Sequence, residues 1–239
     1  MPKGSRGGKR GASGGGGGVK LTPEQEQALD RLIKRTANLK NEQYRIIDAD
    51  GNVVVEKRGT AHEVGATVGE KRQYLDGNVS LHNHPDGGTF SPDDLSEFGY
   101  GAKEIVVATP EGTYRLVNNK YGTYDAKSGW YDMREEIRKI PDTTYSELNR
   151  QAKANLENSK TEKQIKAISS KWADIRDKQG NDAAKKYIQS VQGLYDELTK
   201  KRSAEIKAEI RRLEVKPFDD FYKANAKKYG FDYSFERNK

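Results

Sequence analysis

Residues 79–94 read Val-Ser-Leu-His-Asn-His-Pro-Asp-Gly-Gly-Thr-Phe-Ser-Pro-Asp-Asp. Val79-Ser80-Leu81 is a short strand that runs directly into His82. On a strand, residues two apart point to the same face with Cα atoms about 6–7 Å apart, so the imidazoles of His82 and His84 can share one metal ion. Pro85-Asp86-Gly87-Gly88 is a turn. Ser91-Pro92 opens a helix, which puts Asp94 in its first turn, where its carboxylate can turn back toward the strand end. Two histidines and one aspartate make three protein ligands and leave a fourth position for water. That is the open pattern of catalytic zinc rather than the closed pattern of structural zinc. A purely structural account of Ser91 and Asp94 also exists: Ser-Pro-x-Asp is a helix N-terminus, with serine as cap and aspartate near the positive end of the dipole.

Outward from this stretch, strands and helices interleave. Thr22-Pro23-Glu24-Gln25 reads as a helix start with Thr22 at the cap, Pro23 at the first helical position and Gln25 closing a capping box. Leu29, Leu32, Ile33 and Ala37 follow at helical spacing. Residues 44–47 and 53–55 read as strands joined at Asp50-Gly51, a strong hairpin signal. Residues 104–108 and 114–117 form a second pair around Pro110-Glu111-Gly112. This order predicts an α+β or α/β domain. From Tyr131 onward the chain is helical, amphipathic and very polar. Ile165, Ile168, Trp172 and Ile175 keep a three-and-four spacing, as do Ala184, Tyr187, Val191, Leu194 and Leu198. Ile206, Ile210 and Leu213 continue it until Pro217. After a helix stop at Gly230, residues 231–235 alternate like a strand returning to the sheet. The domains expected are a flexible Gly/Lys/Arg-rich tail over 1–20, a metallohydrolase-type domain over 21–127, and a charged helical region over 128–239 that ends in a short strand.

Composition bounds the chemistry. The chain has no cysteine, so disulfides and thiolate metal sites are excluded, and a reducing cytoplasm is compatible with it. No stretch is apolar enough for a membrane helix, and the Gly-rich N-terminus lacks the apolar core of a secretory signal. The net charge of +7 is unevenly spread. Residues 1–20 hold five basic and no acidic side chains, residues 21–130 hold 13 basic against 17 acidic, and residues 131–239 hold 25 against 19. Basic flanks can touch nucleic acid or an acidic protein face, but the acids mixed among the helices make a continuous basic stripe doubtful.

His82-Asn83-His84-Pro85 followed by Ser91-Pro92-Asp93-Asp94 resembles the JAMM (MPN-type) zinc metalloprotease motif, His-x-His-Pro then Ser-x-x-Asp. The form His-Asn-His-Pro-x-Gly is closer to the RadC-like and phage or mobile-element branch than to the eukaryotic deubiquitinases, which favour Ser or Thr where Asn83 stands. The likeness covers residues 21–125: a first helix, Asn41-Glu42-Gln43-Tyr44 entering a strand, the motif, then a strand pair. It departs in one place, because five residues separate Pro85 from Ser91, one fewer than is common in the family.

The resemblance implies a cytidine-deaminase-like mixed sheet with flanking helices, and zinc held by His82, His84 and Asp94. It also implies Glu42 as general base, with Glu56 and Glu63 as alternatives, and cleavage of a peptide or isopeptide bond in a protein substrate. Ser91 is either a cap alone or a cap that also donates to the oxyanion. Sulfur-free ligands suit iron, cobalt or manganese as well as zinc. His62 reads as a surface histidine, and Trp130, Tyr131, Trp172 and the C-terminal aromatics read as packing residues. Two rival readings stand beside the hydrolase. One is a catalytically silent metal-binding module with an assembly role, virion-associated if the mobile-element branch applies, with the C-terminal helices meeting a partner. The other is nucleic-acid binding through the basic helices.

Overall fold

Thr22 starts the first helix where the spacing predicts. In the computed structural model, which describes residues 20–121, 129–141 and 143–238, α1 spans Pro23–Thr36. Thr22 accepts from the Gln25 N–H and Gln25 accepts from the Thr22 N–H, both at 3.1 Å, so the capping box closes. Strands β1 (Gln43–Ile47) and β2 (Val53–Arg58) form the antiparallel hairpin. Its turn requires Gly51 twice over: φ is +79°, and a Cβ there would meet the Glu24 carbonyl oxygen at 2.6 Å.

Four more strands, β3 (Val79–Asn83), β4 (Glu104–Ala108), β5 (Gly112–Asn118) and β6 (Phe231–Arg237), complete a sheet in the order β2-β1-β3-β4-β5-β6. Only β3 and β4 run parallel; the other neighbours are antiparallel. The fold is therefore α+β, a mixed sheet with flanking helices, as expected. A parallel pair needs a crossover, and this one carries the Ser91–Asp94 segment past the C-terminal end of β3. The α-helix expected at Ser91 does not form there. Residues 92–93 are a turn, and Asp94–Tyr100 is a 3-10 helix stopped by Gly101 at φ +91°. Its buried Leu95 and Phe98 stand three apart, the repeat that a 3-10 helix stacks on one side. A further helix, α2 (Val68–Tyr74), joins those expected, and it too starts at a capping box, formed by Thr67 and Glu70.

Strand alternation divides the core in two. Leu81, Val79, Val106 and Ala108 face α1, packing on Ala28, Leu29 and Leu32. Tyr44, Ile46, Ile105, Val107, Tyr114 and Leu116 face the other way, toward the 3-10 segment and the C-terminal elements. An ion-pair cluster ties α1 to the sheet. Glu104, 1% exposed, is paired with Arg115, which also reaches Glu26 of α1 at 3.0 Å. Burial pushes the Glu104 carboxyl up even with Arg115 beside it. Arg115→Met, which strands this carboxylate, is expected to cost about 3–5 kcal/mol at neutral pH. A raised carboxyl pKa means stability that is present below the unfolded value and lost as pH rises through the folded one. The loss should therefore shrink as pH falls toward 4.5, the ordinary value for Glu. Denaturant midpoints across that range check it, and a pH-independent loss would refute it.

The boundary expected at 127/128 lies outside the described residues. Beyond it come α3 (Gly129–Ile137), α4 (Tyr145–Asn155), α5 (Lys160–Gln179) and α6 (Asn181–Asn225). Met133, Ile137, Tyr222, Ala226, Tyr229 and Phe231 belong to the same buried cluster as Tyr44 and Ile105. The chain thus returns to its first core and ends as strand β6, as the alternation predicts. Between these returns, α5 and the first half of α6 pack on each other through Ile165, Ile168 and Leu198. Pro217 does not stop the helix, against expectation: α6 runs through it to Asn225. A proline costs the interior of a helix about 3 kcal/mol. The burial of Tyr222, with Val215, Phe218 and Phe221 partly buried beside it, offsets that cost. Among the described residues no helix is long and apolar enough to cross a membrane.

Candidate metal centre

The strand register places the first candidate ligand. His82 pairs with Tyr44 across β1–β3 and lies on the opposite face from Leu81, pointing toward the 3-10 segment. His84 follows β3 by one residue, and its N–H bonds the Ala108 carbonyl at 3.0 Å, which extends the ladder and keeps the two rings on one face. Their Nε2 atoms lie 3.0 Å apart. Asp94 closes the group: Oδ1 is 3.2 Å from His82 Nε2, and Oδ2 is 3.8 Å from His84 Nε2. Ligand atoms about 2.0–2.1 Å from a tetrahedral zinc are about 3.3 Å from one another, so the spacing has the scale of one ion. His82, His84 and Asp94 could hold a metal.

The surroundings favour the metal-binding form of His84 and Asp94, but not of His82. His84 Nδ1 faces the Gly88 carbonyl at 3.1 Å, which makes Nδ1 the donor and leaves Nε2 bare toward the centre. With His82 Nε2 only 3.0 Å away, that bare nitrogen shares with it either the His82 proton or a cation. Burial and the neighbouring His82 push the His84 imidazole down, toward its neutral form. Burial would raise the Asp94 carboxyl, but the imidazoles of His82 and His84 and the Ser91 N–H hold it well below the carboxylate range. His82 is also buried, yet Asp94, Glu97 and Glu42 raise it above its ordinary value. Among the described residues its Nδ1 has no hydrogen-bond partner; packing against the Tyr44 ring, 6.3 Å between centroids, orients it instead.

Glu42 immediately precedes β1 and lines the same cavity, a cleft of about 420 Å³. It is 8% exposed, and burial raises its carboxyl. Of the two alternatives, Glu56 is committed to Arg45 at 2.6 Å and is not among the residues lining the cleft. Glu63 lines the cleft but is solvent-exposed. Ser91 lines it too. Its Oγ accepts from the Asp94 N–H at 3.2 Å while Asp94 Oδ2 accepts from the Ser91 N–H at 2.7 Å. The cap role is thus filled, and the hydroxyl proton is still free to donate. His62 also faces the cleft, exposed and outside the ligand group.

Three contributors escaped the sequence reading. Asn83, fully buried between the two histidines, accepts from the Gln43 N–H at 2.8 Å and donates to the Asn41 carbonyl at 3.2 Å. It clamps the backbone on both sides of Glu42 to the ligand strand. Asn83→Ala leaves those backbone groups unpaired, and about 1–3 kcal/mol of stability should be lost. Chemical unfolding measures the loss, and an unchanged midpoint would show that the clamp is idle. Glu97, 2% exposed, sits near His82 with Lys71 at 3.5 Å. Finally, Glu214, Val215 and Phe218 of α6 form part of the cleft wall, although they lie far along the chain from the motif.

Set against protein-family models, curated proteins and solved structures, the chain matches none.

Proposed function

We propose that the cleft is the active site of a zinc-dependent hydrolase of JAMM (MPN) type that cleaves a peptide or isopeptide amide. The observation that carries this reading is the convergence of His82, His84 and Asp94 in one cavity with Glu42 and Ser91. The element order agrees with it: a helix, a hairpin preceded by Glu42, a strand ending in the two histidines, a crossover bearing Ser91 and Asp94, then a strand pair.

Zinc bound by this ligand set supplies Lewis acidity, bringing the pKa of water to about 7 and polarising a carbonyl. Glu42 takes the proton of the attacking water and passes it to the leaving amine; its raised carboxyl suits both steps. Ser91 donates a hydrogen bond from its hydroxyl to the developing oxyanion. Asn83 holds Glu42 in place through the backbone on either side of it.

Elemental analysis of protein purified without an affinity metal, beside His82→Ala/His84→Ala, tests this reading. About one zinc per chain is expected, absent from the double variant. Stoichiometric iron, manganese or cobalt would keep the hydrolase and change its ion. No metal in either protein, both equally folded, would replace the hydrolase with an assembly module that retains only the outline of the motif.

A further inference from the structure

Resting on the hydrolase reading, we propose that the cleft selects a substrate segment carrying Lys or Arg close to the scissile amide. Among the described residues, those lining the cavity include six carboxylates, Glu42, Glu63, Asp86, Asp93, Asp94 and Glu214, and no Lys or Arg. In a chain with 43 basic and 36 acidic side chains, composition alone does not deliver that wall. The cleft is the inverse of the whole protein, whose net charge is +7.

Two of the six are already engaged. Asp94 faces the imidazoles, and Asp93 has Arg134 at 3.4 Å. The other four have no Lys or Arg within ion-pair distance among the described residues. Glu63 and Glu214 are solvent-exposed and come from the β2–α2 connection and from α6. Asp86 is exposed on the turn after His84. Glu42 differs from them: it is more than nine-tenths buried, its carboxylate has no hydrogen-bond partner among the described residues, and it lines the cavity.

Beside these charges, partly buried Val64, Val215 and Phe218 present apolar surface to the same cavity. A lysine or arginine side chain matches both features, with its methylene stem on the apolar wall and its cationic head among the carboxylates. A cleft lined by one sign of charge also concentrates the opposite charge at its mouth. An acidic segment is repelled by the exposed Glu63, Asp86 and Glu214.

Binding and cleavage test this separately. Zinc-loaded Glu42→Gln protein is titrated with fluorescein-labelled Gly-Ser peptides of equal length carrying Lys, Glu or neither. The Lys peptide should bind about tenfold tighter than the Glu peptide or more, against the protein's net charge, and Glu63→Gln/Glu214→Gln in the same background should remove most of that preference. Equal affinities, or a preference untouched by the double substitution, overturn the proposal. Both glutamates are exposed and unpaired, so the fold should survive their replacement. Wild-type zinc protein is then incubated with peptides generated by cleavage at acidic residues, which keep internal Lys and Arg, and the cut sites are read by mass spectrometry. Cuts enriched beside Lys or Arg support the proposal, and cuts without enrichment overturn it. No cuts beyond the His82→Ala/His84→Ala control would instead overturn the hydrolase reading, whatever the peptides bind.

Discussion

Glu42→Gln should lower kcat/KM by about 10²–10⁴-fold, the usual contribution of a positioned general base, while the protein stays folded and keeps its zinc. Gln has nearly the same shape, and the Glu42 carboxylate has no hydrogen bond or ion pair to lose among the described residues. Nor does stability oppose the change. Burial raises the Glu42 carboxyl, so the group's stability is present below its unfolded pKa and lost as pH rises through its folded pKa. Gln never ionises and escapes that loss, so the metal-free variant at neutral pH should be as stable as the metal-free parent or slightly more so. Metal content, denaturant midpoint and turnover of the same substrate separate these effects. Full activity with full zinc would sink the assignment and move the role to Glu63, the other candidate on the cleft wall, since Glu56 is held by Arg45.

The convergence of His82, His84 and Asp94 was legible because its geometry is local. His82 and His84 need only the two-residue repeat of a strand, and Asp94 needs only a turn that reverses toward the strand end. The secondary structure around them was legible for the same reason: a capping box at Thr22, Gly51 in a hairpin turn, and alternation after Gly230 are short-range signals. What stayed hidden depends on pairing. The clamp of Asn83 on Asn41 and Gln43 exists only once the β1–β3 register is fixed, and no spacing in the sequence expresses a register. Glu214, Val215 and Phe218 reach the cleft because tertiary burial packs this part of α6 on the first core, and Phe218 also needs the helix to run through Pro217, where local propensity ends it. The 3-10 geometry at Asp94 has the same origin, since its i, i+3 apolar pair suits either helix until the crossover leaves room for one. Local rules found the groups proposed to do chemistry; long-range packing decided which residues surround them.

That packing sets the second large effect expected, at Tyr222. Its ring is fully buried, edge-on to Phe90 at 5.6 Å and stacked on Tyr233 at 5.3 Å. Its hydroxyl donates to the Phe90 carbonyl at 3.1 Å, and Phe90 directly precedes Ser91. One side chain therefore fastens the end of α6 both to the last strand and to the segment that carries Ser91 and Asp94. Truncating a buried aromatic to alanine costs about 3–5 kcal/mol, a large share of the 5–15 kcal/mol that typically separates folded from unfolded protein. Tyr222→Ala should thus come close to unfolding the chain. Where it stays folded, it should bind zinc more weakly, because the Ser91–Asp94 turn loses its backing. Tyr222→Phe keeps the ring and strands only the Phe90 carbonyl, at about 1–3 kcal/mol, so the pair separates packing from hydrogen bonding. Denaturant midpoints and zinc retention on both variants decide the matter. If Tyr222→Ala unfolds no earlier than the parent and retains zinc equally well, α6 merely lies beside the site and does not support it.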